Sequence, residues 1–168
     1  MIKFVETEVV FSEIPDEVTL AINISNCQNN CKGCHSAYLR DNIGDELTLR
    51  QLENLISQND GITCICFMGE GNDPKALHEL ILFVKENFKG LKIGLYSGRE
   101  NVDDDFYWEN LDYLKIGPYI EEYGPLNSET TNQRLYKKIG GTRGTLILND
   151  IARPYWYDIT DKFWKKKV

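Results

Sequence analysis

Apolar residues along the chain follow two alternating patterns, one typical of buried strands and the other of amphipathic helices. Strand-like runs are short and continuous, whereas the helical stretches place apolar residues three and four positions apart. Because strands and helices alternate, the pattern predicts an α/β domain with a mostly parallel sheet and right-handed crossovers. The strand runs are Thr19 to Ser25, Ile62 to Met68 and Leu91 to Tyr96, and the helical stretches are Thr48 to Ser57 and Pro74 to Phe88.

The remaining segments extend this pattern at both ends. Two more strands are predicted at Tyr113–Ile116 and Gly144–Leu148, the first after a short helix around Val102 to Leu111. Near the start, Lys3 to Ile14 includes an alternating stretch that allows an edge hairpin before the sheet. The sequence contains neither an internal repeat nor a recognisable linker, so residues 1–168 are predicted to form a single domain.

Polar clusters follow the first three predicted strands. The first strand leads into a cysteine run, the second into Gly69-Glu70-Gly71-Asn72-Asp73, and the third into Ser97-Gly98-Arg99. In parallel α/β architectures the loops at the carboxyl ends of the strands supply most ligand contacts. We therefore expect the three clusters to meet at one edge of the sheet.

The cysteine run has the spacing C-x3-C-x2-C, formed by Cys27, Cys31 and Cys34. Such short runs usually hold iron–sulfur clusters, and three thiolates would leave one iron of a 4Fe-4S cluster open. Two alternatives are a structural zinc site with His35 as fourth ligand and a disulfide with one thiol left over. Structural zinc usually takes two separated ligand pairs, and no second pair of suitable spacing follows. Cys64 and Cys66 lie in an apolar run and are expected to pack in the core.

Composition and charge restrict the setting in which the chain works. The formal net charge of −7 disfavours a nucleic-acid binder, which needs a concentrated basic face. The chain starts without a secretory signal pattern, and no apolar run approaches membrane-spanning length. These features predict a cytoplasmic protein that contacts neither nucleic acid nor membrane. Because the cytosol keeps ordinary disulfides reduced, the setting favours metal-binding thiolates.

These motifs together resemble those of radical S-adenosylmethionine (SAM) enzymes. Two further segments are similar to the activating proteins of anaerobic (class III) ribonucleoside-triphosphate reductases. They are Lys32-Gly33-Cys34-His35 in the cysteine loop, and Thr130-Thr131-Asn132-Gln133-Arg134 after Gly117-Pro118-Tyr119-Ile120-Glu121. The resemblance covers about Thr19 to Leu148 and implies a partial, open βα barrel of the radical SAM type.

The resemblance also implies an activity and its cofactors. Cys27, Cys31 and Cys34 would hold a 4Fe-4S cluster whose open iron binds SAM. One electron from a flavodoxin or ferredoxin would then cleave SAM to a 5′-deoxyadenosyl radical. That radical would take a hydrogen atom from a glycine of the partner reductase. The alternatives are an activating enzyme for another glycyl-radical enzyme, a radical enzyme acting on a free metabolite, an iron–sulfur electron carrier and a zinc-stabilised interaction module.

The family binds the ammonium group of SAM with a glycine-rich turn and an acid. Here the order is Gly69-Glu70-Gly71-Asn72-Asp73, so either Glu70 or Asp73 could be the acid, and Asp73 could instead cap the following helix. Gly33 replaces the aromatic residue that many members carry before the last cysteine, which leaves adenine contacts to backbone near Gly33 and to His35. The alternative for His35 is a surface loop residue without a ligand contact. Ser97 either contacts the ribose or carboxylate of SAM or belongs to an ordinary turn.

Overall fold

The structure is a computed structural model that describes residues 1–139, 145–148, 151–154 and 156–164. Among the described residues, no helix combines the length and apolar character needed to cross a membrane. Two short 3-10 turns lie at Ala37–Arg40 and Thr160–Phe163. The strands are β1 (Lys3–Val10), β2 (Thr19–Ile24), β3 (Asp45–Glu46), β4 (Cys64–Met68), β5 (Lys92–Tyr96), β6 (Tyr113–Ile116), β7 (Arg134–Lys138), β8 (Thr145–Leu148), β9 (Ile151–Pro154) and β10 (Trp156–Asp158), and the helices are α1 (Leu49–Ser57), α2 (Pro74–Asn87) and α3 (Asp105–Asn110).

Eight of these strands form one sheet in the order β10-β7-β6-β5-β4-β2-β1-β3. Its central strands β2, β4, β5 and β6 are parallel neighbours. In that register Ala21 lies opposite Cys66, and Cys66 lies opposite Gly94. Because the four strands point the same way, their carboxyl ends lie at the same edge of the sheet.

The expectation of a mostly parallel, partial βα barrel is wrong. Within the described chain, the eight-stranded sheet is mixed, with four antiparallel and three parallel pairings, and only three α-helices accompany it. Parallel neighbours require a long crossover, usually through a helix. After β6 the chain instead returns through residues 117–133 without a helix, so β7 runs antiparallel to β6.

The two ends of the sheet also differ from a barrel. The edge hairpin expected within Lys3 to Ile14 is not formed: this segment contributes the single strand β1, which pairs antiparallel with β2 on one side and with the edge strand β3 on the other. The predicted strand Gly144–Leu148 corresponds to β8, which pairs with β9 in a separate two-stranded sheet, while Gly144 itself lies outside the described residues. The sheet therefore ends in antiparallel strands on both sides instead of continuing into further βα units.

Each helix begins at the polar residue that its sequence offers as a cap. The Thr48 side chain accepts a hydrogen bond from the Gln51 backbone N–H, the Asp73 side chain from Ala76, and the Asp104 side chain from Phe106. Pro74 follows its cap at the first helical position, where its missing N–H removes no helical hydrogen bond. The starts of α1 and α2 agree with the expected helical stretches, whereas α3 begins at Asp105, inside the range Val102 to Leu111 expected for it.

Alternation along β4 divides the protein interior into two clusters. Ile65 and Phe67 belong to the larger cluster, which the helices also enter through Leu52, Leu77 and other apolar residues. Cys64 and Cys66 belong to a smaller cluster with Ile14, Tyr113 and Leu135. Both thiols are fully buried, which confirms the expectation that these two cysteines are core residues.

A buried carboxylate joins the amino-terminal ends of the four parallel strands. Glu17, just before β2, accepts hydrogen bonds from Thr63 Oγ1 at 2.5 Å, Lys92 Nζ at 2.8 Å and Tyr113 OH at 2.9 Å. These three donors stand just before β4 and at the first residues of β5 and β6. Burial alone would raise the pKa of Glu17, but the hydrogen bonds outweigh it and lower the pKa below its ordinary value of 4.5.

Glu17→Gln is expected to destabilise the protein at neutral pH by about 2 kcal/mol, since it removes a buried charge that three donors satisfy. A lowered pKa in the folded state stabilises the fold above the unfolded value of 4.5 and loses that effect as the pH falls through the folded pKa. Chemical denaturation of both proteins between pH 7 and pH 3 measures the difference, which should shrink on acidification. Glu53→Gln, at an exposed position of α1, is the control; a difference independent of pH would contradict this role of Glu17.

Candidate functional site

The loops that follow the parallel strands enclose an open cavity of about 510 Å³. This volume lies within the range of pockets that hold small molecules and cofactors. The cavity is lined by residues of all three polar clusters noted in the sequence, so these clusters meet at one edge of the sheet as the strand directions predict. The lining residues among them are Cys27, Cys31, Cys34, Gly69, Glu70, Gly71, Asn72, Gly98 and Arg99.

The cysteine loop leaves β2 and is held by backbone contacts to the 3-10 turn that follows it. The Cys27 N–H donates to the Leu39 carbonyl at 2.9 Å, and the Arg40 guanidinium donates to the Cys31 carbonyl. The Cys34 N–H closes a turn onto the Cys31 carbonyl at 3.3 Å. On the cysteines, these contacts engage only backbone groups. The three half-buried thiols form no disulfide and line the cavity.

The three thiols are suitable ligands for an iron–sulfur cluster, but their present positions are not those of a metal site. Three free thiols on one cavity wall are soft ligands of the kind that iron–sulfur clusters require. As the described residues stand, however, no group of three or more His, Cys, Asp or Glu side chains is placed to hold a metal ion. Binding a cluster therefore requires the loop to draw its three thiols together.

Asn29 brings the cysteine loop against the end of β5. A Cβ at Gly98 would lie 2.3 Å from the Asn29 side-chain nitrogen, so a side chain there would force Asn29 to move. The two loops therefore touch at this point. This contact links the loop that carries the thiols to the loop that carries Arg99.

Glu70 is the acid of the second loop that faces the cavity. Its carboxylate accepts hydrogen bonds from Ser97 Oγ at 2.6 Å and from Arg99 at 3.0 and 2.7 Å, the arginine binding both oxygens. The Arg99 guanidinium lies over the ring of Tyr107, 5.6 Å from its centroid. Ser97 is fully buried behind the cavity wall, so it orients Glu70.

Asp73 is placed differently. Its side chain caps α2 and also accepts a hydrogen bond from the Met1 amino group, and Asp73 lies beside the described lining of the cavity. The hydrogen bonds from the amino terminus and from Ala76 lower its pKa. Of the two acids left open by the sequence, the geometry favours Glu70 as a ligand contact and gives Asp73 the capping role. Gly71 has a positive φ of 65°, which favours glycine, and a side chain there would also crowd Ile2 and Ile24.

Gly33 and His35 contact the segment that follows β6. Gly33 has a positive φ of 77°, and a side chain at that position would meet the Glu121 carboxyl group at 3.2 Å. The His35 ring packs against Tyr119, with 5.6 Å between centroids. Tyr119 lines the cavity, whereas Gly33 and His35 lie beside its described lining. The segment after β6 therefore closes over the cysteine loop through Tyr119 and Glu121.

Lys115 is a cavity residue that the sequence did not single out. It stands on β6 and is 8% exposed, and its ammonium group donates to the carbonyls of Ser97 at 3.3 Å and Gly117 at 2.9 Å. Burial lowers its pKa to about 8, and negative charge on Cys31, Cys34 and Cys27 opposes that shift. The available signal was a lysine in the otherwise apolar run Tyr113-Leu114-Lys115-Ile116. A charged residue inside a buried strand generally has a specific reason to be there.

Native alkylation is expected to separate the five cysteines into two groups. Iodoacetamide should modify Cys27, Cys31 and Cys34, because they are partly exposed and line the cavity. Cys64 and Cys66 should react only after unfolding, since they are fully buried and burial raises the pKa of both thiols. Mass spectrometry of tryptic peptides measures the result. Native modification of Cys64 at the rate of Cys31 would contradict the assignment of the two groups.

The chain was also compared with known proteins: it matches no protein-family model, no curated protein and no solved structure at a significant level.

Proposed function

We propose that this chain is an iron–sulfur enzyme that cleaves SAM reductively and generates the glycyl radical of an anaerobic ribonucleoside-triphosphate reductase. One observation carries the proposal. Three free thiols with the spacing of a cluster-binding run line the same cavity as Glu70, an acid held in place by Ser97 and Arg99. Under this proposal, one pocket would hold both the cluster and an ammonium-bearing ligand.

A 4Fe-4S cluster with bound SAM would supply the electron transfer and the radical. The residues of the chain would supply binding and orientation. Glu70 would accept hydrogen bonds from the ligand's ammonium group, with Ser97 fixing the carboxylate. Because Arg99 already binds both oxygens of Glu70, the incoming ammonium group has to share the carboxylate with the guanidinium or displace it.

The open cavity also bears on the partner. A radical intermediate has to be kept from water, and an open pocket at the surface of a chain of 168 residues does not do this by itself. Docking of the large reductase over this edge of the sheet would complete the enclosure. The electron donor would be a flavodoxin or ferredoxin.

The other site types fit less well. A zinc site formed by the triad and His35 would need His35 to turn towards the thiols, but its ring packs against Tyr119 outside the described cavity lining. An electron carrier with a fully ligated cluster would need a fourth cysteine, and the other two are buried in the core on β4. Neither alternative gives Glu70 a role.

The first test is anaerobic reconstitution with iron and sulfide. The protein is expected to take up about four irons per chain and, after reduction, to release 5′-deoxyadenosine from SAM. With an anaerobic reductase added, electron paramagnetic resonance should show a glycyl doublet. Iron uptake without 5′-deoxyadenosine would rule out the proposed function.

Matched cysteine variants accompany this experiment. Cys31→Ala should abolish cluster assembly, because it removes one of the three cavity thiols. Cys64→Ala should assemble the cluster normally and lose only about 1 kcal/mol of stability, since it removes one buried sulfur. Iron content and thermal unfolding measure both effects. The reverse pattern would overturn the ligand assignment.

A second pair of variants distinguishes Glu70 from Asp73. Glu70→Gln should weaken SAM binding to the reconstituted protein by at least about tenfold, since it removes a charged hydrogen-bond partner of the ammonium group. Asp73→Asn should leave SAM binding unchanged and cost up to about 1 kcal/mol of stability through the cap of α2. Equilibrium binding and chemical denaturation measure the two effects. If Asp73→Asn alone weakened binding, Asp73 would be the ligand contact.

A further inference from the structure

Lys115 is a buried cation without an acidic partner in the described part of the chain. Its exposed fraction is 8%, and the described residues show no carboxylate within ion-pair distance of its ammonium group. Buried charges are normally paired, because taking an ion out of water is costly. Its Nζ lies 5.7 Å from the centroid of the Tyr96 ring, which also lines the cavity, but a neutral ring does not supply a countercharge. A buried ammonium group without a carboxylate partner therefore requires an explanation.

The hydrogen bonds of Lys115 leave room for one more partner. An ammonium group has three N–H donors. Two of them bind the carbonyls of Ser97 and Gly117, which fix the side chain at the carboxyl end of β6. Lys115 also lines the cavity. One donor and the full positive charge are thus available to an anion bound there.

The cavity lining contains two carboxylates and the cysteine triad, and both carboxylates already have partners. Glu70 forms a two-point ion pair with Arg99, while Asp104 caps α3 and lies 3.5 Å from His78 Nε2. The remaining source is the cysteine triad, whose thiols line the same cavity and, when ionised, are the negative groups that act most strongly on Lys115. A cluster held by three thiolates is anionic, and reduction adds one further negative charge to it.

We propose that Lys115 is the countercharge of the cysteine-bound cluster and a positioning residue that raises its reduction potential. This inference rests on the proposed function. Net charge, hydrogen bonds to sulfur and burial are the protein's means of setting the potential of such a cluster. A fixed cation in a poorly solvated cavity stabilises the reduced, more negative state more than the oxidised state.

The test is a redox titration of the reconstituted protein without SAM, in which optical or electron paramagnetic resonance spectroscopy monitors the reduced cluster. Lys115→Met is expected to shift the midpoint potential to a more negative value, and Lys115→Arg to restore it towards that of the wild type. Lys138→Met is the matched control. Lys138 also donates to a backbone carbonyl, that of Glu109, but it stands on β7 and outside the described cavity lining. Its replacement should leave the potential unchanged.

Each outcome decides the inference. An unchanged potential in Lys115→Met, with normal iron content, overturns it. Weaker SAM binding without a shift in potential also overturns it, because the ammonium group would then serve the cosubstrate. If the wild type takes up no iron, the proposed function fails and the inference fails with it. If Lys115→Met does not fold, Lys115→Gln, which keeps two N–H donors, takes its place. A folded variant that cannot retain iron while Lys138→Met does supports the countercharge role.

Discussion

The arrangement of this protein depends on the alignment of four parallel strands, and the buried carboxylate of Glu17 holds their amino-terminal ends in register. Its donors lie before β4 and at the starts of β5 and β6, while Glu17 itself precedes β2. If β4, β5 or β6 slipped by one residue, Glu17 would lose one of its three donors, and the core side chains of that strand would turn to the other face. Because the strand starts are fixed, the loops at their opposite ends meet at a defined place, and the cavity forms there.

The elements that local patterns determine were predictable from the sequence. Helical spacing predicted α1 and α2, and apolar runs predicted β2 and β4 to β6. Strand direction at the edges was not predictable in this way. An apolar run has the same composition whether it pairs parallel or antiparallel, so β7 was not recognised as the return strand of β6. The extension of the βα pattern to the whole chain caused the wrong expectation of a barrel.

In the candidate site, too, local motifs were predictable from the sequence and contacts between distant residues were not. The spacing of Cys27, Cys31 and Cys34 and the acid Glu70 are visible in the sequence because they are local motifs. The pair formed by Glu70 and Arg99 joins residues 29 positions apart, and the contact of Lys115 with Ser97 joins residues 18 positions apart. Such contacts depend on which strands are neighbours. Sequence reasoning therefore identified the candidate ligands but not the charges that surround them.

The burial of Cys64 and Cys66 has a consequence for the order of events during biogenesis. Five thiols in an unfolded chain offer iron many incorrect combinations of ligands. Once the sheet has formed, β4 has withdrawn two of them from the solvent, and the remaining three stand on one loop. Under the proposed function, a chain that folds before it binds iron would present a single set of thiol ligands, because burial keeps Cys64 and Cys66 from competing for the metal.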